Sequence, residues 1–161
     1  MKIDWKVLAD YLPDLLSGAQ VTLAMTGLSL VIGSVVGLGL ALARISGFRI
    51  LSWPAYAYIE FFRTTPPLVQ IIWFYFVLPV MIGIELDSFT AASAALGLNI
   101  AAFLGEIFRS GIQGIDVTQR DAANVLGLSR IAMYRYVVLP QAVRIVLPPT
   151  TPTVMLLLKS T

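Results

Sequence analysis

The run Leu15–Ala43, LLSGAQVTLAMTGLSLVIGSVVGLGLALA, contains no ionisable residue. A helix needs roughly 20 apolar residues to cross the hydrocarbon of a bilayer, so this stretch can span with residues to spare. Its Leu and Val content predicts a first span over about 19–43. Gly33 and Gly37 stand one helical turn apart, a spacing that lets a second helix approach closely, and Gly27 and Gly39 lie in the same run. Arg44 and Arg49 close the span and flank a Ser46-Gly47 turn. A cleaved leader is not expected. The apolar run far exceeds a signal h-region, and the residues before it mix Lys2 and Lys6 with Asp4, Asp10 and Asp14.

The rest of the chain has the same character. Of 161 residues, 58% are hydrophobic and 12% charged, and the mean hydropathy is +0.84. Ordinary soluble domains carry about 25% charged residues, so these few charges cannot cover a soluble surface. Cysteine and histidine are both absent, which removes disulfides, thiolate metal sites and the commonest general base. No nucleophile–base pair or metal cluster stands out, so no catalytic or metal-binding residue is expected.

A second apolar stretch follows Trp53-Pro54, is interrupted by Glu60 and Arg63, and continues to Ile84 through an aromatic cluster, Trp73 to Phe76. It reads as a span over 54–84 with a polar, kinked first half, because Pro66-Pro67 removes two backbone donors. A third span is expected over 88–109. Residues 145–158 are apolar but carry Pro148, Pro149 and Pro152, and read as the start of another span. The Arg44–Arg49 connection and the 110–144 loop are rich in arginine, whereas Glu85 and Asp87 mark an acidic loop. The positive-inside rule places the first two in the cytoplasm and the N-terminus outside.

The 110–144 loop is the most polar part of the chain. Thr118-Gln119-Arg120-Asp121 fits a capping box, predicting a helix from about Gln119. Gly127 supplies a left-handed stop, Ser129 a second cap, and Pro140 disfavours continuation past Leu139. Two short helices should result, the first with a low-relief face at Ala122 and Ala123 suited to a groove on another protein. A solvated connection is the plainer reading. Ala122-Ala123-x3-Gly127-Leu128-Ser129 also looks like a DNA-binding helix-turn-helix, which makes a membrane-anchored regulator the alternative.

Asp121-Ala122-Ala123-x3-Gly127-x9-Val137-x-Leu139-Pro140 resembles the EAA signature of bacterial ABC importer permeases, with Asp121 where the family usually has Glu. Glu60-Phe61-Phe62-Arg63-Thr64-Thr65-Pro66-Pro67-Leu68-Val69-Gln70 resembles the E-x-x-R-G/T-T-P-x-x-V-Q stretch of the permeases for polar amino acids (the histidine/glutamine type). Ala101 to Ile112 resembles that group's third-span motif, and Leu158-Lys159-Ser160-Thr161 the start of its closing L-K-x-T-S-L.

The resemblance implies an all-α, polytopic integral membrane bundle forming one transmembrane permease domain over 1–161. Family members usually have about five spans, so a chain ending here is expected to lack the last. The implied location is the bacterial inner membrane. The implied partners are an ATP-binding subunit dimer, a second permease subunit in a homo- or heterodimer, an extracytoplasmic substrate-binding protein and membrane lipid, with no nucleic acid. No cofactor is expected in this chain. It has no G-x-x-x-x-G-K-S/T loop, so ATP must be bound and hydrolysed by the partner. ATPase coupling falls by resemblance to Asp121, Ala122, Ala123, Gly127, Leu139 and Pro140.

Ionisable residues within spans are candidates for a translocation path. Glu60 and Arg63 share a helical face and could neutralise each other, either as an interfacial anchor or in the path. Glu106 and Arg109 repeat the spacing, where a structural pair is expected. Gln70 and Asn99 could face the path or another helix. The aromatics at Trp73 to Phe76 read as an interface belt rather than a substrate cage.

Overall fold

The computed structural model describes residues 5–161, with side chains from residue 11 onward. Lys2 and Asp4, and the side chains of Lys6 and Asp10, lie outside this range, as does the orientation expected from them. The described chain is helical throughout: α1 (Trp5–Ile45), α2 (Arg49–Thr64), α3 (Pro67–Ile72), α4 (Leu78–Ile82), α5 (Ser88–Gln113), α6 (Val117–Val125), α7 (Arg130–Met133) and α8 (Leu139–Ser160). Two π turns, Trp73–Val77 and Tyr134–Val138, join α3 to α4 and α7 to α8.

α1 begins well before the expected Ala19, because helix runs through Pro13 into the polar residues that precede the apolar core. Most of its large side chains, among them Leu23, Val31 and Val35, are exposed to where lipid would lie. α5 is the central helix. Its buried positions are chiefly small, Ala91, Ser93, Ala95, Gly97, Ala101, Ala102 and Gly105, which permits close packing where no hydrophobic force draws helices together.

The α1–α5 crossing is built on Gly33 and Gly37. A Cβ on Gly33 would lie 1.9 Å from Ile100 Cγ2, and one on Gly37 3.0 Å from the Ala101 carbonyl oxygen and 3.1 Å from the Gly105 nitrogen. Gly105 answers from the other side, a Cβ there meeting the Gly37 carbonyl oxygen at 3.2 Å. Gly27 and Gly39 face open space. Ser29 Oγ adds a buried hydrogen bond to the Ser93 carbonyl at 3.1 Å.

The expected second span is not one kinked helix. α2 and the Pro67–Ile82 segment meet at 106°. The cause lies in the backbone. Phe62 and Arg63 would bond in an α-helix to the amides of residues 66 and 67, both of which are proline. α8 departs from expectation in the opposite sense: despite Pro148, Pro149 and Pro152 it is continuous over 22 residues. The hydroxyls of Thr150 and Thr153 donate back to the carbonyls of Val146 (2.7 Å) and Pro149 (3.1 Å) within it. It packs along α5, where a Cβ on Gly111 would strike Val146 Cγ2 at 2.3 Å.

Candidate functional site

α6 projects from the end of α5 as a short capped helix. Its cap is Asp116 rather than the expected Thr118: the Thr118 amide donates to Asp116 Oδ1 at 2.9 Å, and helix starts at Val117. That bond holds the Asp116 carboxyl below the usual carboxylate range. The far end is closed by a Schellman motif. Gly127 takes φ +73°, the Leu128 amide donates to the Ala123 carbonyl at 3.1 Å, and the Gly127 amide donates to the Asn124 carbonyl at 3.0 Å. Ser129 then caps α7, its Oγ accepting from the Ala132 amide at 3.3 Å.

The two alanines of the expected docking face part company. Ala122 is exposed, but Ala123 is buried in a cluster with Ile115, Met133, Val138 and Ala142, so it holds the knob together and cannot enter a partner's groove. The outward surface is apolar: Val125 is 88% exposed, Leu126 78% and Ile131 81%, with Asp121 and Gly127 beside them. Leu139 and Pro140 are also exposed. A short helix with its small residue inside and its larger aliphatics in solvent presents a surface suited to another protein.

Arg120, which sequence reasoning passed over, ties this knob to the membrane bundle. Its guanidinium donates to the Ile112 carbonyl in the last turn of α5 at 2.6 Å, satisfying a helix end that lacks amide partners. The signal was a basic residue within reach of a preceding helix C-terminus. The expected second short helix does not end at Leu139. α7 passes through the π turn, where the Leu139 amide bonds to the Tyr134 carbonyl, and runs on as α8. The i→i−5 bond opens the ladder one residue before Pro140, whose ring would clash in a regular helix. The segment that would serve as the second helix of a helix-turn-helix is thus continuous with an apolar span, and nothing in the arrangement favours that alternative.

The second candidate region is the bend after α2. Gln70 is buried and its Nε2 donates to the carbonyls of Phe62 and Thr65, each at 3.1 Å. Asn99 Nδ2 reaches the Phe62 carbonyl from α5 at 2.9 Å. Both amides therefore serve the break in the helix. Asn99 also lines a cavity of about 400 Å³ with Pro67, Phe103, Thr153, Leu157 and Lys159.

Glu60 and Arg63 do not neutralise each other. Arg63 is exposed and its guanidinium lies 5.6 Å from the Phe103 ring centroid, an aromatic that draws the cation away from its helical neighbour. Among the described residues the one ion pair is Glu106–Arg109, bidentate through Nε and a terminal nitrogen, with Arg109 also bonded to Gln113. Glu106 sits two turns beyond Asn99, roughly 10 Å along the helix, and does not line the cavity. The aromatics of the first π turn pack edge to face as Trp73–Phe74 and Tyr75–Phe76, with Trp73 and Phe76 exposed.

Residues 30–161 match the family described as "Binding-protein-dependent transport system inner membrane component". The arginine transport system permease protein ArtQ of Bacillus subtilis (strain 168) is 39% identical over 148 residues, 92% of this chain and 68% of that protein. The glutamine transport system permease protein GlnP of Escherichia coli (strain K12) is 39% identical over 150 residues, with the same two coverages. The crystal structure of an amino acid ABC transporter with histidines superposes with a TM-score of 0.86 at 36% identity, covering 99% of this chain and 75% of that one. A likeness of this extent, over a helical bundle with a capped knob at the end of its central helix, makes the chain a member of the binding-protein-dependent transport system inner membrane component family.

Proposed function

We propose that this chain is the permease subunit of an ATP-driven importer that carries a polar amino acid across the inner membrane, with its N-terminus outside. The observation that carries this reading is the exposed ridge Val125–Leu126–Ile131 on a knob fastened to α5 by Arg120 and to α8 through the buried Ala123 cluster. An ATP-binding subunit that grips the ridge differently in its two nucleotide states shifts the bundle, since only a differential contact can move a conformational equilibrium. Asp121, Ala122 and Gly127 border the ridge and belong to the same contact. The solute path runs beside the bend, past Asn99 and the cavity. A second permease subunit, an ATP-binding dimer and an external binding protein complete the machine.

The substrate class rests on likeness to permeases for arginine and glutamine. The test is ATP-driven uptake of radiolabelled amino acids into proteoliposomes holding the full complex. Leu126→Asp should abolish uptake and copurification of the ATPase while insertion continues. Normal uptake by that variant would falsify the coupling assignment.

A further inference from the structure

The turn between α1 and α2 carries a feature that transport does not explain. Arg44 and Arg49 line one cavity of about 220 Å³ together with Ser52, Trp53 and Tyr56, and no acidic residue is part of it. A second, more open cavity continues from it past Arg49, Ile50, Trp53 and Pro54. The Arg44 guanidinium is held 4.7 Å from the Tyr56 ring centroid, and its Nε is buried without an acceptor. Arg49 is the first residue of α2, where the helix dipole disfavours a cation, and the N-cap Phe48 makes no side-chain hydrogen bond there. Glu106, which the Arg44 charge reaches, is itself paired with Arg109. Two cations thus line a mainly apolar hollow to which none of the described acidic side chains contributes. Around the hollow, Ile50 (87% exposed) and Trp53 (74% exposed) are apolar surface at the start of α2.

We propose that this hollow binds the phosphate of an anionic phospholipid from the leaflet into which Arg44 and Arg49 emerge, with the acyl chains lying over Ile50 and Trp53. A phosphodiester supplies the acceptors that the guanidiniums lack, and the indole is suited to the headgroup level. A soluble anion would gain the charge contacts but nothing from the apolar rim.

Native mass spectrometry of the intact, detergent-solubilised complex tests this by titrating phosphatidylglycerol, phosphatidylcholine and inorganic phosphate separately. Phosphatidylglycerol should bind selectively. Arg44→Gln with Arg49→Gln should weaken it roughly thirtyfold, the ordinary worth of two arginines at an anionic headgroup. Arg44→Lys with Arg49→Lys, which keeps the charge, should retain most of the affinity and guards against a folding defect in the glutamine variant. Equal binding of phosphatidylcholine, equal occupancy by inorganic phosphate, or undiminished phosphatidylglycerol binding in the glutamine variant would each overturn the proposal.

Discussion

Gln70 and Asn99 donate to the same oxygen, the Phe62 carbonyl, at 3.1 and 2.9 Å from two different helices. That carbonyl would ordinarily bond the amide of residue 66, which is proline, so the side chains replace a donor the backbone lacks. Gln70→Ala or Asn99→Ala alone should cost about 1 kcal/mol, because the remaining amide still serves the oxygen. The double variant should lose about 1–3 kcal/mol beyond the sum, as a carbonyl in an apolar setting is then left bare. Thermal unfolding of the complex in nanodiscs measures both, and strict additivity would argue against a shared role.

At the α1–α5 crossing, Gly37→Leu should destabilise the bundle by about 1–3 kcal/mol, since the new side chain meets backbone at Ala101 and Gly105 that cannot step aside. Gly39→Leu, with open space before it, is the control and should melt like the parent.

Ala122→Arg and Ala123→Arg should fail differently. The first alters an exposed position and should spare folding while impairing ATPase binding. The second forces a cation into the Ile115–Met133–Val138 cluster and should lower the yield of folded protein. Size-exclusion profiles beside copurification separate the two, and identical behaviour would contradict the inward placement of Ala123.

Arg120→Ala should leave ATPase binding intact yet reduce uptake per ATP hydrolysed, since it severs the Ile112 link between knob and span without touching the ridge. A proportional fall in hydrolysis and uptake would place Arg120 in docking instead.

Asp116→Ala should speed hydrogen exchange at the Thr118 amide. Because the folded carboxyl titrates below its unfolded value, the cap's contribution is present above the unfolded value of about 3.9 and is lost as pH falls through the lower folded value. Exchange at pH 6 and 8, corrected for the intrinsic rate, should therefore show the same protection.

Much of this was readable in advance, and the misses have physical reasons. Span lengths follow from uncharged runs, and Gly33, Gly37 and Gly127 announce close approach and a helix stop. Two prolines announce a break at Pro66 but not its 106° angle, nor that an asparagine on another helix serves the carbonyl left free there. The capping box pointed to Thr118, but Asp116 is an equally good cap type and takes that role two residues earlier. Ala123 misled because alanine suits a groove and a core equally, and only the exposure of Val125 and Leu126 reveals which side faces out.

The π turn at Tyr134–Val138 also sets a phase. Across it the buried residues Met133, Val138 and Ala142 are spaced five and then four apart, where an unbroken α-helix would repeat every three or four. The extra residue rotates everything beyond it by about 100° relative to a regular helix. A helical wheel drawn straight through 130–160 therefore assigns the wrong residues to the bundle. Trp73–Val77, followed likewise by Leu and Pro, repeats the arrangement before α4. Deleting a single residue within Tyr134–Val138 would bring Met133 and Val138 to the four-residue spacing of a regular helix and keep the buried face in phase, so the cost of that shortening falls on the Pro140 ring, which would then meet an unopened ladder.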